Sequence, residues 1–217
     1  MFAAAAGITT KTMLSFSEYR AAKKVGIYLS MPFGELSTTS LVQNALADGK
    51  EVYVPYLHGI IGSSSQPSAS VMDMLALRSF EEFQSLEPDR WGIPSLKPSQ
   101  VVGRKSCLGG YGPVPGLTCE STVDTSLYGV DLIIMPGMAF DHGFRRLGHG
   151  KGYYDDFLAR YLDKGESGKM PFLGKRCSSP TRTQSIAFDT CPSRPLSPRA
   201  NASSDRTDSR YRTRLAS

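Results

Sequence analysis

A run of glycines and basic residues near position 150 carries the strongest chemical signal in the sequence. The run reads RRLGHGKG and contains Arg146, Gly148, His149, Gly150, Lys151 and Gly152. Glycines let backbone N–H groups turn towards a ligand without interference from a Cβ atom, and the helix predicted to follow adds partial positive charge. Together with the charges of Arg146 and Lys151, this pattern predicts a phosphate-binding loop.

A carboxylate, Asp155, follows this loop in the first turn of the predicted helix. One such group after a phosphate loop is well placed to hold a magnesium ion that bridges to nucleotide oxygens. An acid at the start of a helix can also merely complement the helix dipole. Because Asp155 follows a phosphate-binding pattern, we predict that it is a metal ligand.

The glycine spacing differs from two familiar nucleotide motifs. A Walker A loop has four residues between its glycines and a Ser or Thr after its Lys, where this chain has Gly152. A dinucleotide fingerprint needs a different spacing of the third glycine than G-x-G-x-G. Glycines alone could also serve a tight connection, so the functional argument depends on the whole surrounding string.

The elements around the loop predict an α/β fold. An apolar run at 131–135 stopped by Pro136-Gly137 indicates a buried parallel strand, and helical spacing of apolar residues starts near Gly152. Further strands are predicted at 25–29, 51–55 and 71–77, with helices at 38–48 and 79–86. This alternation predicts a three-layer α/β sandwich with a mostly parallel sheet and helices on both faces. Residues 97–126 are expected to form an irregular surface insertion.

In such sheets, ligands bind beyond the carboxyl ends of the strands. The loop after the first predicted strand carries Leu29, Met31 and Glu35, so it can face the same cleft as the glycine loop. Taken alone, Glu35 would be expected to be a solvated loop acid or a helix-cap acid. Trp91 is the only tryptophan, and it can be either a core anchor or a stacking wall for a flat heterocycle.

Charge and cysteine content limit the possible classes of protein. The chain has 217 residues and a net charge of +5, but residues 174–217 carry nine basic and three acidic residues, so the preceding 173 residues carry −1. The four cysteines form no C-x-x-C pair and have no histidine at metal spacing, which argues against a zinc site and a secreted disulfide framework. No membrane span is predicted. We expect a cytoplasmic location, with a mitochondrial presequence as the minority interpretation.

We predict three segments along the chain. These are an atypical N-terminal extension at 1–13, one α/β domain at 14–173, and a tail rich in Arg, Ser and Pro at 174–217. The tail should not pack a core, so we expect it to be disordered or to come from an altered reading frame or splice. Its arginines also fit an RNA-binding arm, which we consider the weaker interpretation.

Residues 135–155, MPGMAFDHGFRRLGHGKGYYD, resemble the signature of the 5-formyltetrahydrofolate cyclo-ligase family, also called methenyltetrahydrofolate synthetases. The similarity continues in residues 28–31 with 34–36, in residues 49–52 and in residues 91–94. It covers about three-quarters of the chain, roughly residues 14–173, and does not reach either end.

The resemblance implies an ATP-dependent conversion of 5-formyltetrahydrofolate to 5,10-methenyltetrahydrofolate, with Mg²⁺ bound at Asp155. It implies catalytic roles for Lys151 and Arg146 and nucleotide contacts along the loop, namely Arg146, Gly148, His149, Gly150, Lys151, Gly152 and Tyr153. The substrate contacts that it implies are Leu29, Met31, Glu35, Trp91, Tyr153 and Tyr154. We expect a monomer with small-molecule partners and no membrane or nucleic-acid partner.

This chain also departs from the family pattern. The family normally has an Arg at the position of His149, a longer first helix with a Lys and an Arg that reach the nucleotide, and an acidic metal-site residue near its end, for which Asp189 is a weak replacement. Two alternative functions therefore stay open. One is a non-catalytic relative that retains part of the nucleotide or folate pocket, and the other is nucleic-acid binding through the basic tail.

The His149 departure leads to a first prediction. His149→Arg should lower the ATP concentration needed for half-maximal turnover, because a permanently charged guanidinium that can bind a phosphate in bidentate fashion replaces an imidazole. Initial rates measured against ATP concentration test this. An unchanged or higher ATP requirement would mean that position 149 faces away from the nucleotide.

Overall fold

One five-stranded sheet organises the described part of the chain. The computed structural model describes residues 10–59, 70–112, 129–140, 146–164 and 172–177. Its helices are α1 (residues 10–15), α2 (Ser17–Ala21), α3 (Thr39–Ala47), α4 (Phe80–Gln84), α5 (Pro98–Val101) and α6 (Tyr153–Lys164). Its strands are β1 (Lys24–Ile27), β2 (Glu51–Gly59), β3 (Ser70–Leu77), β4 (Glu87–Pro88), β5 (Pro94–Ser95), β6 (Leu132–Gly137), β7 (Ala139–Phe140), β8 (Arg146–Leu147) and β9 (Phe172–Cys177).

The strand order of this sheet is β3-β2-β1-β6-β9. β1 pairs in parallel with β2 and β6, and β6 pairs in parallel with β9, whereas β3 runs antiparallel to β2. The prediction of a mostly parallel sheet is therefore confirmed. Within the described ranges, no helix combines the length and the apolar character that crossing a membrane requires.

Helices cover both faces of the sheet, as the sequence predicts. Alternate residues of each strand point to opposite faces. In β6, Leu132 and Ile134 pack with the cluster formed by α1–α5, while Ile133 and Met135 pack against Phe157 and other residues of α6. Because full burial of one large apolar side chain contributes about 2 kcal/mol, these two clusters dominate the stability of the domain.

Packing and strand pairing extend past the predicted domain limits of 14 and 173. Met13 of α1 is buried in the first cluster. β9 covers residues 172–177 and therefore includes the first residues of the segment predicted to be a tail. β9 also supplies partners for Pro136 and Gly137, so β6 continues past the expected stop at residue 135. The remaining tail residues, 178–217, lie outside the described part.

The segment predicted to be a surface insertion instead closes the outer edge of β3. Ala76 N–H donates to the carbonyl of Lys105 at 2.9 Å, and Cys107 N–H donates to the carbonyl of Met74 at 3.1 Å. A sheet edge has unpaired backbone groups that need partners, which explains why residues 104–107 lie along it. Residues 113–126 of the same predicted insertion lie outside the described part.

Two arginines complete this edge. Arg104 donates to the carbonyl of Ala76 at 2.7 Å, and Arg160 of α6 donates to the carbonyl of Met72 while pairing with Asp73 at 2.8 Å. Buried Arg104 also forms a bidentate ion pair with Glu82, with distances of 2.7 and 3.0 Å. Hydrogen bonding from Arg104 holds the pKa of the Glu82 carboxyl below its ordinary value. These side chains, together with the backbone of residues 105–107, therefore take the place of a further strand at this edge.

Replacement of Glu82 by glutamine should lower the free energy of unfolding by about 3 kcal/mol at neutral pH, because it leaves a buried guanidinium without its carboxylate. Since the pKa of Glu82 is lowered in the folded state, its contribution is full above the ordinary carboxyl pKa and is lost as the pH falls through the folded pKa. The difference between wild type and variant should therefore shrink in acid. Urea unfolding at several pH values measures both effects.

Glu87→Gln is the matched control. Glu87 pairs with Lys97 at 2.6 Å, but both side chains are exposed, so its loss should cost less than about 1 kcal/mol. Equal losses for the two variants would contradict a special role of the Arg104–Glu82 pair.

Candidate active site

Two loops meet at the carboxyl ends of the adjacent parallel strands β1 and β6. The first loop, residues 28–38, follows β1. The second connection lies between β6 and α6 and consists of the β7–β8 pair and then the glycine loop. This is the edge at which α/β sheets bind ligands. The structure therefore brings the two predicted site loops into one region.

The carboxylate of Glu35 is the most enclosed charged group at this edge. Its side chain is 7 % exposed, and its Oε2 accepts a hydrogen bond from the backbone N–H of Met31 at 2.9 Å. Gly34 has a φ of 82°, which permits the turn before Glu35, and the Tyr28 hydroxyl donates to the carbonyl of Leu36 at 2.9 Å. A carboxylate removed from water needs donors, so this loop suits a ligand that carries N–H groups.

His149 connects the glycine loop to the Glu35 loop. Its Nε2 lies 4.0 Å from Oε1 of Glu35, and its side chain is 53 % exposed at the rim of the site. The imidazole thus faces the carboxylate of Glu35, which is predicted to bind the substrate, while remaining accessible from solvent. Its predicted contact with the nucleotide stays a prediction.

Arg146 fastens the glycine loop to both neighbouring elements. Its side chain is 11 % exposed. The guanidinium donates to Oδ1 of Asp155 at 3.0 Å and to the carbonyl of Pro136 at 3.3 Å, and it lies 5.5 Å from the ring centroid of Tyr154. These contacts join the end of β6 to the first turn of α6. The charge of Arg146 is therefore already paired with a carboxylate, unlike the charge of a basic side chain that lies exposed to bind a phosphate.

The three glycines of the loop occupy their positions for two different structural reasons. A Cβ atom at Gly148 would lie 2.7 Å from Nη1 of Arg146, so a side chain there would displace the guanidinium. Gly150 and Gly152 have φ values of 80° and 69°, a left-handed conformation that costs other residues about 1–2 kcal/mol. Lys151 lies exposed between them. Two left-handed residues thus flank Lys151, and the binding of a phosphate by this loop stays a prediction.

Tyr154 lies between the two loops. Burial is the main reason that the pKa of its phenol is raised, the charges of Tyr28 and Glu35 add to the shift, and Arg146 opposes it. The phenol therefore stays protonated. Tyr153 beside it is partly buried against the second core cluster. Sequence patterns predict no role for Tyr28, although its position directly after β1 could have indicated one.

The residues present fit a magnesium ion only if nucleotide oxygens complete its coordination. Among the described residues, no group of three His, Cys, Asp or Glu side chains could hold a metal ion. Mg²⁺ is commonly bound by one or two carboxylates together with phosphate oxygens, and the Asp155 side chain is 58 % exposed. Asp155 could thus hold an ion that arrives with the nucleotide, and this role stays a prediction.

Trp91 and Leu29 lie in opposite environments. Trp91 is 60 % exposed, so the core-anchor interpretation is wrong. The adjacent Gly92 packs against Pro32, where an added Cβ would lie 2.8 Å from the ring, and this places Trp91 beside the Glu35 loop. Leu29 is buried because it continues the inward alternation of β1, so it can meet a ligand only through its backbone.

These features define an α/β protein in which a glycine loop before a helix faces an enclosed carboxylate. The model of the 5-formyltetrahydrofolate cyclo-ligase family matches residues 2–174, and this chain belongs to that family. The match includes residues 2–13, which the sequence prediction placed outside the domain.

Curated relatives agree with this assignment. A 5-formyltetrahydrofolate cyclo-ligase from Saccharomyces cerevisiae is 33% identical over 156 residues, covering 71% of this chain and 64% of the relative. One from Mus musculus is 30% identical over 159 residues, covering 73% and 64%. A probable one from Schizosaccharomyces pombe is 31% identical over 153 residues, covering 70% and 59%. This chain thus spans about six-tenths of the length of these relatives.

A solved structure is also similar to this chain. It is the NMR structure of 5,10-methenyltetrahydrofolate synthetase from Aquifex aeolicus, with 26% identity and a TM-score of 0.43, covering 71% of this chain and 60% of that protein.

The contact between Gly148 and Arg146 can be tested by stability alone. Gly148→Ala should lower the free energy of unfolding by about 1 kcal/mol, because the new Cβ moves the guanidinium of Arg146 away from Pro136 and Asp155. In an Arg146→Ala background the same change should be nearly neutral, since the clashing group is absent. Urea unfolding of the four proteins measures this coupling.

Gly59→Ala is the matched control, because Gly59 has an ordinary φ and open space around its Cβ position. It should change stability by less than about 0.5 kcal/mol. An equal loss for Gly148→Ala in both backgrounds would show that the guanidinium is not what excludes a side chain at 148.

Proposed function

We propose that this chain converts ATP and 5-formyltetrahydrofolate to 5,10-methenyltetrahydrofolate, ADP and phosphate. One observation carries the proposal. His149 of the glycine loop lies 4.0 Å from the enclosed carboxylate of Glu35, so the two loops meet at one site. One loop suits a phosphate and the other suits an N–H-rich heterocycle, so a single site can bring ATP and a folate together. Family membership and the names of the curated relatives support the reaction.

The reaction needs ATP because a formyl oxygen bound to an amide-like carbon is a poor leaving group. In the proposed first step this oxygen attacks the γ-phosphorus, and the bond from that phosphorus to the bridging oxygen of ADP breaks. N10 of the folate then attacks the activated carbon, and phosphate leaves with the former formyl oxygen and the N10 proton. Catalysis of such steps is mostly positioning and charge neutralisation.

The glycine loop would hold the transferring phosphoryl group. Lys151 is exposed between two left-handed glycines, so its ammonium and the neighbouring amides can reach the same anion. Arg146 would act from within the loop, because its mostly buried guanidinium fixes the loop against β6 and α6. Tyr153 would complete the nucleotide side at the start of α6.

Asp155 would hold Mg²⁺ at the nucleotide end of the site. When bound, the ion supplies positive charge that neutralises the phosphate oxygens. The carboxylate would hold such an ion through the oxygen that does not pair with Arg146. The pairing observed here therefore keeps Asp155 oriented towards the loop.

The folate would bind with its pterin at Glu35. The carboxylate accepts hydrogen bonds from ring N–H groups, and the protonated Tyr154 adds a donor beside it. Met31 and the exposed ring of Trp91 supply apolar contact for the flat parts of the substrate. We place the reaction in the cytoplasm and treat the protein as a monomer, as expected from the sequence.

The two alternatives receive no support from the described residues or from the relatives. Both site loops are in place, as they would be in an active enzyme and in a non-catalytic relative that retains the pocket, so an assay of ATP-dependent product distinguishes these two. The tail beyond residue 177 lies outside the described part. A wild-type protein that binds RNA but does not turn over folate would revive the nucleic-acid alternative. Salt-dependent retention on RNA tests that outcome directly.

Lys151→Ala should reduce ATP-dependent turnover about 100-fold, because it removes a charge that stabilises the transferring phosphoryl group. The free energy of unfolding should change by less than about 0.5 kcal/mol, since the side chain is exposed. The near-ultraviolet absorbance of the methenyl product measures turnover. Unchanged turnover would refute the role of the loop, and a wild-type protein without ATP-dependent product would refute the proposed function.

Lys105→Ala is the matched control for this experiment. Lys105 is similarly exposed and lies 3.9 Å from Glu51, which begins β2 and is therefore at the amino edge of the parallel strands. Replacing Lys105 removes one positive charge, as Lys151→Ala does, but at a position away from the site. Turnover should stay within about twofold of wild type.

A further inference from the structure

The side chain of Tyr28 ties the loop that carries Glu35 to the core. Tyr28 is the first residue after β1, and its backbone N–H still donates to the carbonyl of Ile134 in β6 at 3.2 Å. Its ring lies buried in the first cluster, and its hydroxyl donates to the carbonyl of Leu36 at 2.9 Å. One residue therefore connects the sheet with the far end of the Glu35 loop.

Packing alone does not require the hydroxyl of Tyr28. A phenylalanine ring would fill nearly the same apolar volume, whereas a buried phenol has to find a hydrogen-bond partner. The partner that it finds is the carbonyl of Leu36, and the hydrogen bond between them is buried. The specific effect of this hydroxyl is therefore to fix the backbone directly after Glu35.

The loop is held on both sides of Glu35. At its beginning, the N–H of Met31 donates to Oε2 of Glu35 at 2.9 Å. At its end, the Tyr28 hydroxyl holds the carbonyl of Leu36. The other carboxylate oxygen, Oε1, lies 4.0 Å from Nε2 of His149, which is longer than a hydrogen bond. Oε1 is therefore the oxygen that a ligand N–H group would meet, and its direction depends on the two contacts that hold the loop.

Tyr28 also lies close to the α6 side of the site. Burial is the main cause that raises the pKa of the Tyr154 phenol, Arg146 lowers it, and Tyr28 and Glu35 raise it further. Tyr28 and Glu35 are thus both within electrostatic reach of Tyr154. The Tyr28 side chain is therefore at the junction of the Glu35 loop with α6, and not in a remote part of the core.

Resting on the proposed function, we propose that the hydroxyl of Tyr28 is a positioning group for folate binding. By holding the carbonyl of Leu36 it keeps Glu35 aligned with the N–H groups of the pterin, and it does not itself touch the substrate. A loop that can take other conformations offers the binding-competent one for only a fraction of the time, and the apparent dissociation constant rises by the inverse of that fraction. Loss of the hydroxyl should therefore weaken folate binding and leave the glycine loop unchanged.

Tyr28→Phe removes the hydroxyl and keeps the ring. It should raise the dissociation constant of 5-formyltetrahydrofolate about fivefold, as expected from the loss of one buried hydrogen bond. Titration calorimetry of the full chain in the absence of ATP measures this change. With both substrates present, the KM for 5-formyltetrahydrofolate should rise by a similar factor, while kcat and the KM for ATP should stay within about twofold of wild type.

Tyr161→Phe is the matched control. Tyr161 is 2 % exposed in the second cluster, and its hydroxyl accepts a hydrogen bond from the N–H of Val130 at 3.0 Å, just before the start of β6. This variant also removes a buried phenol hydroxyl from a backbone partner, but at the amino edge of the parallel strands. Both variants should lower the melting temperature by about 3 °C. Only Tyr28→Phe should weaken folate binding.

A double-mutant cycle tests whether Tyr28 acts through Glu35. Glu35→Gln should weaken folate binding on its own, because it removes the charged acceptor that the loop aligns. In the Glu35→Gln background, Tyr28→Phe should change the dissociation constant by less than about twofold. An undiminished fivefold effect in that background would overturn the proposal, since Tyr28 would then act on the substrate independently of Glu35.

Two further results would overturn the proposal. These are an unchanged dissociation constant for Tyr28→Phe and an equal rise for Tyr161→Phe, because either one leaves the hydroxyl with a structural role alone. Failure of the proposed function looks different. Wild type would then give no ATP-dependent methenyl product, whereas failure of the positioning role leaves the turnover of wild type intact.

Discussion

The parallel pairing of β1 with β6 is the constraint on which the site depends. Val25, Gly26 and Ile27 pair with Leu132, Ile133 and Ile134, and both site loops leave from this pair. Asp131 fixes the start of the register, because its carboxylate accepts hydrogen bonds from the N–H groups of Lys23 at 2.8 Å and Lys24 at 2.9 Å. A slip by one residue would move one loop by about 3.3 Å and turn core residues outwards. Glu35 and His149 would then no longer face each other.

Local patterns predict much of this fold correctly. Ser79 caps α4 by accepting from the N–H of Glu82 at 3.2 Å, and α6 begins at Tyr153, next to the predicted Gly152. Both depend on residues close together in sequence, which is why the chain alone reveals them. The antiparallel direction of β3 and the pairing of β9 depend on distant partners. Phe172–Cys177 has no strong strand pattern of its own, so its pairing partner β6 was the missing information.

The same division holds for the site. The type and spacing of residues in the glycine loop predict its position before α6, and the fold places Glu35 opposite it. The pairing of Arg146 with Asp155 does not follow from sequence, because either side chain could equally face a ligand. The environment of Trp91 was also undetermined, since core packing and ligand stacking both require a large flat ring. The exposed ring belongs to a turn in which the Asp89 carboxylate accepts a hydrogen bond from the N–H of Trp91.

The outer edge of β3 has a further consequence for how copies of this chain meet. Carbonyl groups of Ala76 and Met72 accept from the guanidinium groups of Arg104 and Arg160, and the carbonyl between them accepts from Cys107. A strand from another molecule would have to displace these donors before it could extend the sheet. Both arginines are themselves paired with carboxylates, Arg104 with Glu82 and Arg160 with Asp73. On this side the sheet therefore ends in backbone groups that already have partners, and a strand of another molecule would compete with contacts that stabilise the single chain.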